Sequence, residues 1–323
     1  MFKKNFKIGN SNIVKSKLGF GCWGLGGGTD IEPAYGETSP KKAIKIIKSA
    51  LMRNINFFDT SPAYGISEKI LGKILKKKKR DEIFLASKCG ISKFSEKKNF
   101  DPSFLTQQLD NSLNDLETEY LDLVQLHNPE KKILKNLDLI KPFMKEKKKG
   151  KLRAFGLSLK NPSDFFHLKN LDLIDSIQVN LNILDIRSIK LGIEKECKKN
   201  NIALITRTPF SFGFLTGKIN AFNYFPKNDH RSLWSDDQKK KWVSLSKKLY
   251  ESNLFSKKIS QAQLCLRFCM SVPEVSLTIA GMMSEKEVIE NSDVLDMKPF
   301  SDRQTQNIIE FNKDNVPFIN PNY

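Results

Sequence analysis

The 323-residue chain lacks the features that mark membrane and secreted proteins. No apolar run approaches the roughly 20 residues that a helix needs to cross a bilayer. The opening residues, Met-Phe-Lys-Lys-Asn-Phe-Lys, contain neither the apolar segment nor the cleavage site of a signal peptide. The five cysteines are odd in number and dispersed, which argues against a disulfide framework. We therefore expect a protein of the reducing cytoplasm that has no membrane partner.

Histidine and paired cysteine are too scarce to indicate a metal centre. Cys265 and Cys269 lie one helical turn apart, but the chain has only three histidines and no second pair that would complete a zinc site. We predict that the protein binds no metal.

Signs of nucleic-acid binding are also missing, although the formal net charge is +18. The lysine runs at 76–79, 145–149 and 239–241 are not interleaved with aromatic residues, as a single-strand binding groove requires. Lysine greatly outnumbers arginine, whereas recognition of phosphates and bases favours the arginine fork. The sequence contains no nucleic-acid-binding motif. We interpret the charge as a solvated surface and expect no nucleic-acid partner.

Two glycine-containing stretches do not form nucleotide fingerprints. Residues 24–28 have no third glycine at the required offset, and no helix follows them at once. Residues 213–218 are one residue short of a Walker A loop. No linker rich in proline, glycine or serine divides the chain, so we predict a single domain over residues 1–323.

Apolar strand segments alternate regularly with amphipathic helices. The pattern predicts strands at 18–23, 55–59, 83–88, 121–126, 152–157, 176–179, 202–205 and 275–279. It predicts helices at 40–52, 67–79, 101–116, 133–149, 187–199, 236–252, 260–270, 284–291 and 301–311, with a short one opening at 161. Ser67 is expected to cap the second helix.

Eight such units predict an α/β fold, a closed (β/α)8 barrel of the TIM type. A short amino-terminal hairpin, formed by residues 6–8 and 12–14, precedes it, and extra helices follow near the carboxyl terminus. A doubly wound sheet is the alternative, although such a sheet usually has five or six strands and a glycine fingerprint.

Polar side chains follow nearly every predicted strand. Active sites of such barrels lie at the carboxyl ends of the strands. A charged or amide group there is costly unless it is paired or binds something. Each of these residues alone could be structural, but their placement on one rim favours a site. The strand-end residues are Trp23, Asp59, Lys88, His127, Ser158, Gln178 and Arg207, with Asn180 and Thr208 beside them.

Tyr64 lies on the loop that follows Asp59. Together with the strand-end residues Asp59, Lys88 and His127, it forms a set that suits proton delivery to a carbonyl group. A tyrosine with a pKa near ~10 is a poor acid at neutral pH. The Lys88 ammonium should lower that pKa, and Asp59 should keep the lysine charged. His127 could hydrogen-bond the carbonyl oxygen. The hydride would have to come from another group.

The motifs around these residues resemble those of the aldo-keto reductase family. The segment Phe57-Phe58-Asp59-Thr60-Ser61, followed by Glu68, Leu71 and Gly72, is similar to the family signature. Lys88 at the end of Phe84-Leu85-Ala86-Ser87-Lys88 and His127 at the end of 121–127 match two further segments. The resemblance covers about 18–291. It implies reversible, NAD(P)H-dependent carbonyl reduction without a metal, with Tyr64 as general acid, Lys88 and Asp59 tuning its pKa, and His127 orienting the carbonyl.

The same resemblance implies a set of cofactor-binding residues. Ser158 and Gln178 resemble the residues that contact the nicotinamide carboxamide, and residues 207–218 resemble the loop over the pyrophosphate. Residues 279–284, together with the helix after them, resemble the segment that binds the adenosine end. The full set is Gly21, Trp23, Asp59, Ser158, Gln178, Arg207, Pro209, Phe210, Ser211, Leu215, Lys218, Gly281, Met283, Glu287, Glu290 and Asn291.

The choice between the two nicotinamide cofactors depends on the last of these segments. Relatives that select a 2′-phosphate carry basic residues where this chain has Met283 and Glu287, and only Lys286 is nearby. We favour NADP(H) over NAD(H), and these residues leave the preference open.

Two other functions are alternatives to the reductase. One is a nucleotide-binding regulatory protein of the same fold, like the β-subunits of potassium channels, with little turnover. The other is a barrel aldolase with Lys88 as Schiff-base amine, but this needs a lowered lysine pKa, which Asp59 would oppose.

The substrate is expected to be a small carbonyl compound, shaped by the loops at 29–39, 92–100 and 222–234. We expect an aromatic wall of Trp23, Tyr35, Phe94, Phe225 and Trp234. We interpret His230-Arg231 as a surface pair, with contact to a polar or acidic substrate group as the alternative. The sequence does not indicate an oligomeric state.

Overall fold

Eight parallel strands close into a barrel in which each strand pairs with the next and the last pairs with the first. The computed structural model describes residues 2, 5–220, 222–252, 258–313, 315 and 317–319. The predicted (β/α)8 barrel is confirmed, and the doubly wound alternative is wrong. The strands are β1 Leu18–Gly21, β2 Phe57–Asp59, β3 Phe84–Cys89, β4 Leu121–His127, β5 Leu152–Ser158, β6 Ser176–Asn180, β7 Ala203–Arg207 and β8 Val275–Gly281.

Helices surround the barrel. They are α1 Pro40–Met52, α2 Ser67–Leu75, α3 Pro102–Asp115, α4 Lys131–Lys135, α5 Lys145–Lys148, α6 Arg187–Lys190, α7 Ile193–Lys199, α8 Asp236–Glu251, α9 Gln261–Ser271, α10 Glu285–Ser292 and α11 Asp302–Phe311. Within the described ranges, no helix is both long and apolar enough to cross a membrane.

Two predicted long helices are each divided. The helix predicted at 133–149 is split into α4, a 3-10 turn at Leu137–Ile140 and α5. Asn136 leaves helical geometry at φ −144°, and Pro142 has no N–H to continue the helix. The helix predicted at 187–199 breaks at Gly192, whose φ of +70° is left-handed.

The start of α2 differs from the prediction. Its N-cap is Ile66, not Ser67. The Ser67 hydroxyl instead lies 2.9 Å from Thr60 Oγ1 and donates to Cys22 O at 3.2 Å, so it ties α2 to the loops after β1 and β2. The helix also ends at Leu75, before the lysine run that the prediction included.

The amino-terminal hairpin closes the bottom of the barrel. Phe6 and Val14 form a single antiparallel bridge rather than two full strands. Ile8 and Val14 are buried at 1% and 0% exposure among the residues that point into the barrel, including Phe57, Phe84, Leu123, Ile205 and Leu277. The barrel interior is therefore filled from below, and the open end is the rim where the strands end.

Candidate active site

Four polar side chains meet at the carboxyl ends of β2, β3 and β4. Asp59 is the last residue of β2, His127 is the last of β4, and Lys88 lies one residue before the end of β3. Tyr64 lies on the loop between β2 and α2. Because neighbouring parallel strands end at the same rim, the strand order brings these residues together.

Lys88 is the centre of this cluster. Its Nζ donates to Asp59 Oδ1 at 2.5 Å, to Thr60 O at 3.0 Å and to the Tyr64 hydroxyl at 3.2 Å. These bonds use all three donors of the ammonium. Burial lowers the pKa of Lys88, but the attraction of Asp59 and Tyr64 outweighs it, and the net direction is upward. The lysine is a fixed cation beside the phenol.

The second oxygen of Asp59 is held by amides from deeper in the barrel. Asp59 Oδ2 accepts from Gln178 Nε2 at 3.0 Å and from Gln125 Nε2 at 3.2 Å. Gln178 Oε1 in turn accepts from Ser158 Oγ at 3.4 Å. Gln178 and Ser158, predicted as carboxamide contacts, are thus also part of the network that orients Asp59.

Burial decides the protonation of Tyr64 and His127. It raises the pKa of Tyr64, and the Lys88 ammonium offsets part of that rise. The expected lowering by Lys88 is present, but the net direction is opposite to the expectation. Burial, with the charge of Lys88 second, also holds the pKa of His127 well below its usual range. At neutral pH the phenol keeps its proton and the imidazole is uncharged.

The glycine run after β1 packs against the loop that carries Tyr64. A Cβ at Gly26 would lie 1.7 Å from the Tyr64 carbonyl oxygen, so only glycine permits this contact. Ile66 N also donates to Gly26 O at 3.4 Å. The glycine at position 26 is therefore explained by the close approach of two backbones beside Tyr64.

A cavity of about 270 Å³ extends from this cluster across the ends of β1, β7 and β8. Most of the residues predicted to bind a cofactor line it. The predicted residues in the lining are Gly21, Trp23, Asp59, Tyr64, Gln178, Arg207, Pro209, Phe210, Lys218, Gly281, Met283, Glu287 and Asn291.

Several predicted site residues lie behind the lining. Glu290 Oε2 accepts from Lys218 Nζ at 2.7 Å and so holds a residue that lines the cavity. Leu215 and Ser211 are buried in the loop after β7, at 0% and 5% exposure. Lys88, His127 and Ser158 are likewise buried and are not among the residues that line the cavity.

Residues outside the predicted set of cofactor-binding residues complete the lining. Thr208 and Phe212 adopt φ of +58° and +60°, which non-glycine residues seldom do, and the sequence gives no sign of it. Ile279 lies two residues before Gly281 on β8, and the period of two along a strand could have identified it. The other missed residues are Cys22, Gly24, Gly213, Thr216, Ile219 and Ala262.

The predicted aromatic wall is partly wrong. Trp23 and Phe94 do lie beside Tyr64, at ring-centroid distances of 6.2 Å and 6.3 Å, and Tyr35 packs on Trp23 at 5.4 Å. Phe225 instead packs on Phe214, at 5.9 Å, and Trp234 packs on Trp242, at 4.8 Å. These two rings therefore pack against the loop after β7 and against α8.

His230-Arg231 is not the surface pair that the sequence suggested. His230 is 7% exposed and its Nδ1 lies 2.8 Å from Ala34 O. Arg231 bonds Asp229 through Nε at 2.8 Å, lies over the Tyr35 ring and lines the cavity.

Comparison with known proteins shows which family this site belongs to. The sequence model of the Aldo/keto reductase family matches residues 17–313. The chain belongs to this family. The aldo-keto reductase yakc of Schizosaccharomyces pombe, named for NADP(+), is 30% identical over 98% of this chain and 93% of its own length.

Two further relatives align with most or all of this chain. The NADH-specific methylglyoxal reductase of Escherichia coli is 27% identical over 88% of this chain and 87% of its own length. The structure of the glycerol dehydrogenase AKR11B4 from Gluconobacter oxydans has a TM-score of 0.79 and 26% identity, and covers 100% of this chain and 99% of that one.

Family membership makes the protein an NAD(P)-dependent oxidoreductase that reduces aldehydes or ketones to alcohols. The aldolase hypothesis fails because the pKa of Lys88 is raised and its ammonium is fully hydrogen-bonded. Within the part of the chain that is described, no three His, Cys, Asp or Glu side chains form a group that could hold a metal ion.

Proposed function

We propose that Tyr64 is the general acid of the reductase, that Lys88 and Asp59 stabilise the phenolate it becomes, and that His127 orients the substrate carbonyl. The observation that carries this proposal is the chain of contacts from Asp59 through Lys88 Nζ to the Tyr64 hydroxyl, 2.5 Å and 3.2 Å long. When the phenol gives its proton to the carbonyl oxygen, the negative charge is left beside a fixed ammonium.

His127 is oriented by Ser61. Ser61 Oγ already accepts from Ala63 N at 3.2 Å, so its own proton is free to go to His127 Nδ1, 3.3 Å away. A neutral imidazole that accepts at Nδ1 carries its proton on Nε2. His127 can therefore donate a hydrogen bond from Nε2 to a carbonyl oxygen.

The cavity beyond Tyr64 fits a nicotinamide dinucleotide. Asn291 lines it, and the buried Asn291 Oδ1 has no partner among the described residues, which indicates a missing donor such as an adenine amino group. A Cβ at Gly281 would meet open space. Residues after β7 and at the start of α10 would hold the cofactor, and NAD(P)H supplies the hydride when it is bound.

NADP(H) is the cofactor we propose in preference to NAD(H), as the sequence favoured. Lys218 and Arg231 are two of the three cations that line the cavity, and they could face phosphate groups. Glu287 opposes this preference, because its carboxylate lines the same cavity and accepts from Met283 N at 2.7 Å.

The test is a fluorescence titration with NADPH and NADH, followed by nicotinamide absorbance with propanal. Tyr64→Phe should bind the cofactor as the wild type does and lose about 100-fold or more in kcat. Tyr224→Phe, whose ring is 86% exposed, is the matched control and should keep full activity. Full activity of Tyr64→Phe would refute the assigned role, and absence of binding to either nucleotide would refute the cofactor site.

A further inference from the structure

The loop after β1, residues 29–39, joins the other two long loops of the rim. The Glu32 carboxylate accepts from Phe94 N and from Ser95 N, each at 2.9 Å. On its other side, Ala34 N donates to Asn228 O at 3.1 Å, and Ala34 O accepts from His230 N at 2.8 Å. Glu32 is itself fixed by a turn, because its N–H donates to Thr29 Oγ1 at 3.0 Å.

Through this contact Glu32 fixes Phe94 above the catalytic residues. The Phe94 ring centroid lies 5.6 Å from that of His127, 6.3 Å from that of Tyr64 and 6.0 Å from that of Trp23. Such separations are those of aromatic rings in contact. Phe94 is also 42% exposed, so one face is in solvent while the other covers the site.

This arrangement leaves little width for a substrate. A carbonyl oxygen that reaches the Tyr64 hydroxyl and His127 must pass beneath the Phe94 ring, and His127 is only 5% exposed. The cavity volume of about 270 Å³ extends away from His127, toward β7 and β8. A bulky group attached to the carbonyl carbon would therefore collide with Phe94 or displace it.

We propose that Phe94 determines the bulk of accepted substrates, that Glu32 is the positioning residue that holds it in place, and that the favoured substrates are short, unbranched aldehydes and ketones. The inference rests on the carbonyl reduction proposed above. It predicts which carbonyl compounds are turned over well. It assigns this selectivity to the contact between the Glu32 carboxylate of one loop and the backbone N–H groups of another.

The experiment compares kcat/KM for 1-naphthaldehyde and propanal with NADPH. Phe94→Ala should raise the ratio of the two values by about tenfold or more, since steric exclusion of one group changes discrimination by that order. Glu32→Ala should raise it in the same direction, and the double variant should show no further rise, because Glu32 acts through Phe94. Titration with 1-naphthalenemethanol should show tighter binding to both single variants.

Two matched substitutions serve as controls. Phe222→Ala removes a ring that is 86% exposed, and Glu37→Ala removes an exposed carboxylate from the same loop as Glu32. Both should leave the ratio unchanged. If the wild type reduces propanal but Phe94→Ala keeps the wild-type ratio, the role of Phe94 is refuted and the reductase stands. An additive effect of Glu32→Ala refutes the positioning role. A wild type that reduces neither aldehyde refutes the reductase and this inference together.

Discussion

Glu68 is a buried carboxylate held by two hydroxyl groups. Its Oε1 accepts from Ser87 Oγ at 2.5 Å and its Oε2 from Ser112 Oγ at 3.2 Å. Burial raises its pKa to about 7, although both hydroxyl bonds favour the ionised form. Ser87 precedes Lys88 on β3, so Glu68 is bonded to the residue next to the lysine that we propose to be catalytic.

Glu68→Gln should make the protein more stable at alkaline pH. The unfolded chain loses the Glu68 proton first as pH rises, so wild-type stability should fall between the ordinary value of 4.5 and about 7. The loss is at most about 3 kcal/mol, because one pKa unit is worth ~1.4 kcal/mol. Urea unfolding at about pH 5 and about pH 9 measures it. The exposed Glu119→Gln should show no such difference, and equal midpoints for Glu68→Gln and wild type at alkaline pH would contradict the prediction.

The cofactor preference should respond to the carboxylate of Glu287. Removing this charge by Glu287→Gln should tighten NADPH relative to NADH by about fivefold. A 2′-phosphate beside a carboxylate meets like charge, and this repulsion is worth ~1 kcal/mol for unit charges about 4 Å apart in water. The ratio of the two Kd values from fluorescence titration is the measurement. Glu285→Gln removes an exposed carboxylate of the same helix as a control. A shift toward NADH would show that Glu287 does not face the 2′ position.

At the scale of elements, the loop with Tyr64 is positioned by the glycine run after β1. Gly26→Ala places a methyl group on the Tyr64 carbonyl, so we expect the loop to shift and kcat to fall more than about tenfold. Gly150→Ala is the control: its φ is +82° and its Cβ would meet nothing, so it should cost about 1 kcal/mol of stability without loss of kcat. Equal kcat for Gly26→Ala and wild type would rule out this positioning role.

The sequence indicates strand ends well and helix continuity poorly. Asp59, Lys88 and His127 could be placed because each follows an apolar strand, and a polar residue there needs a partner. The interruption at Asn136 leaves no gap in the apolar pattern, whereas Pro142, inside the predicted helix at 133–149, is a sign of a break that the sequence does carry. Two opposing effects set the pKa of Tyr64: burial raises it and the charge of Lys88 lowers it. The degree of burial depends on how the loops pack, so the sequence does not reveal the direction of the shift.

At the scale of the whole molecule, the hairpin that closes the barrel from below is remote from the rim that carries Tyr64 and Lys88. Ile8→Ala should destabilise the fold by about 2–4 kcal/mol through the cavity it leaves. The KM for aldehyde and cofactor should not change. Ile13→Ala, at 42% exposure on the same hairpin, should cost much less, and comparison of the two urea midpoints tests the prediction. Equal midpoints would mean that the hairpin does not stabilise the barrel.

The pairing of β1 with β8 has a consequence for how the protein is made. Gly21 and Gly281 lie side by side in the closed sheet, and both line the cavity, although 259 residues separate them along the chain. A ribosome must therefore release β8 before the cofactor cavity can exist. Binding of NAD(P)H then reports a chain that extends through β8, so a nascent or truncated polypeptide that lacks β8 would not bind the nucleotide.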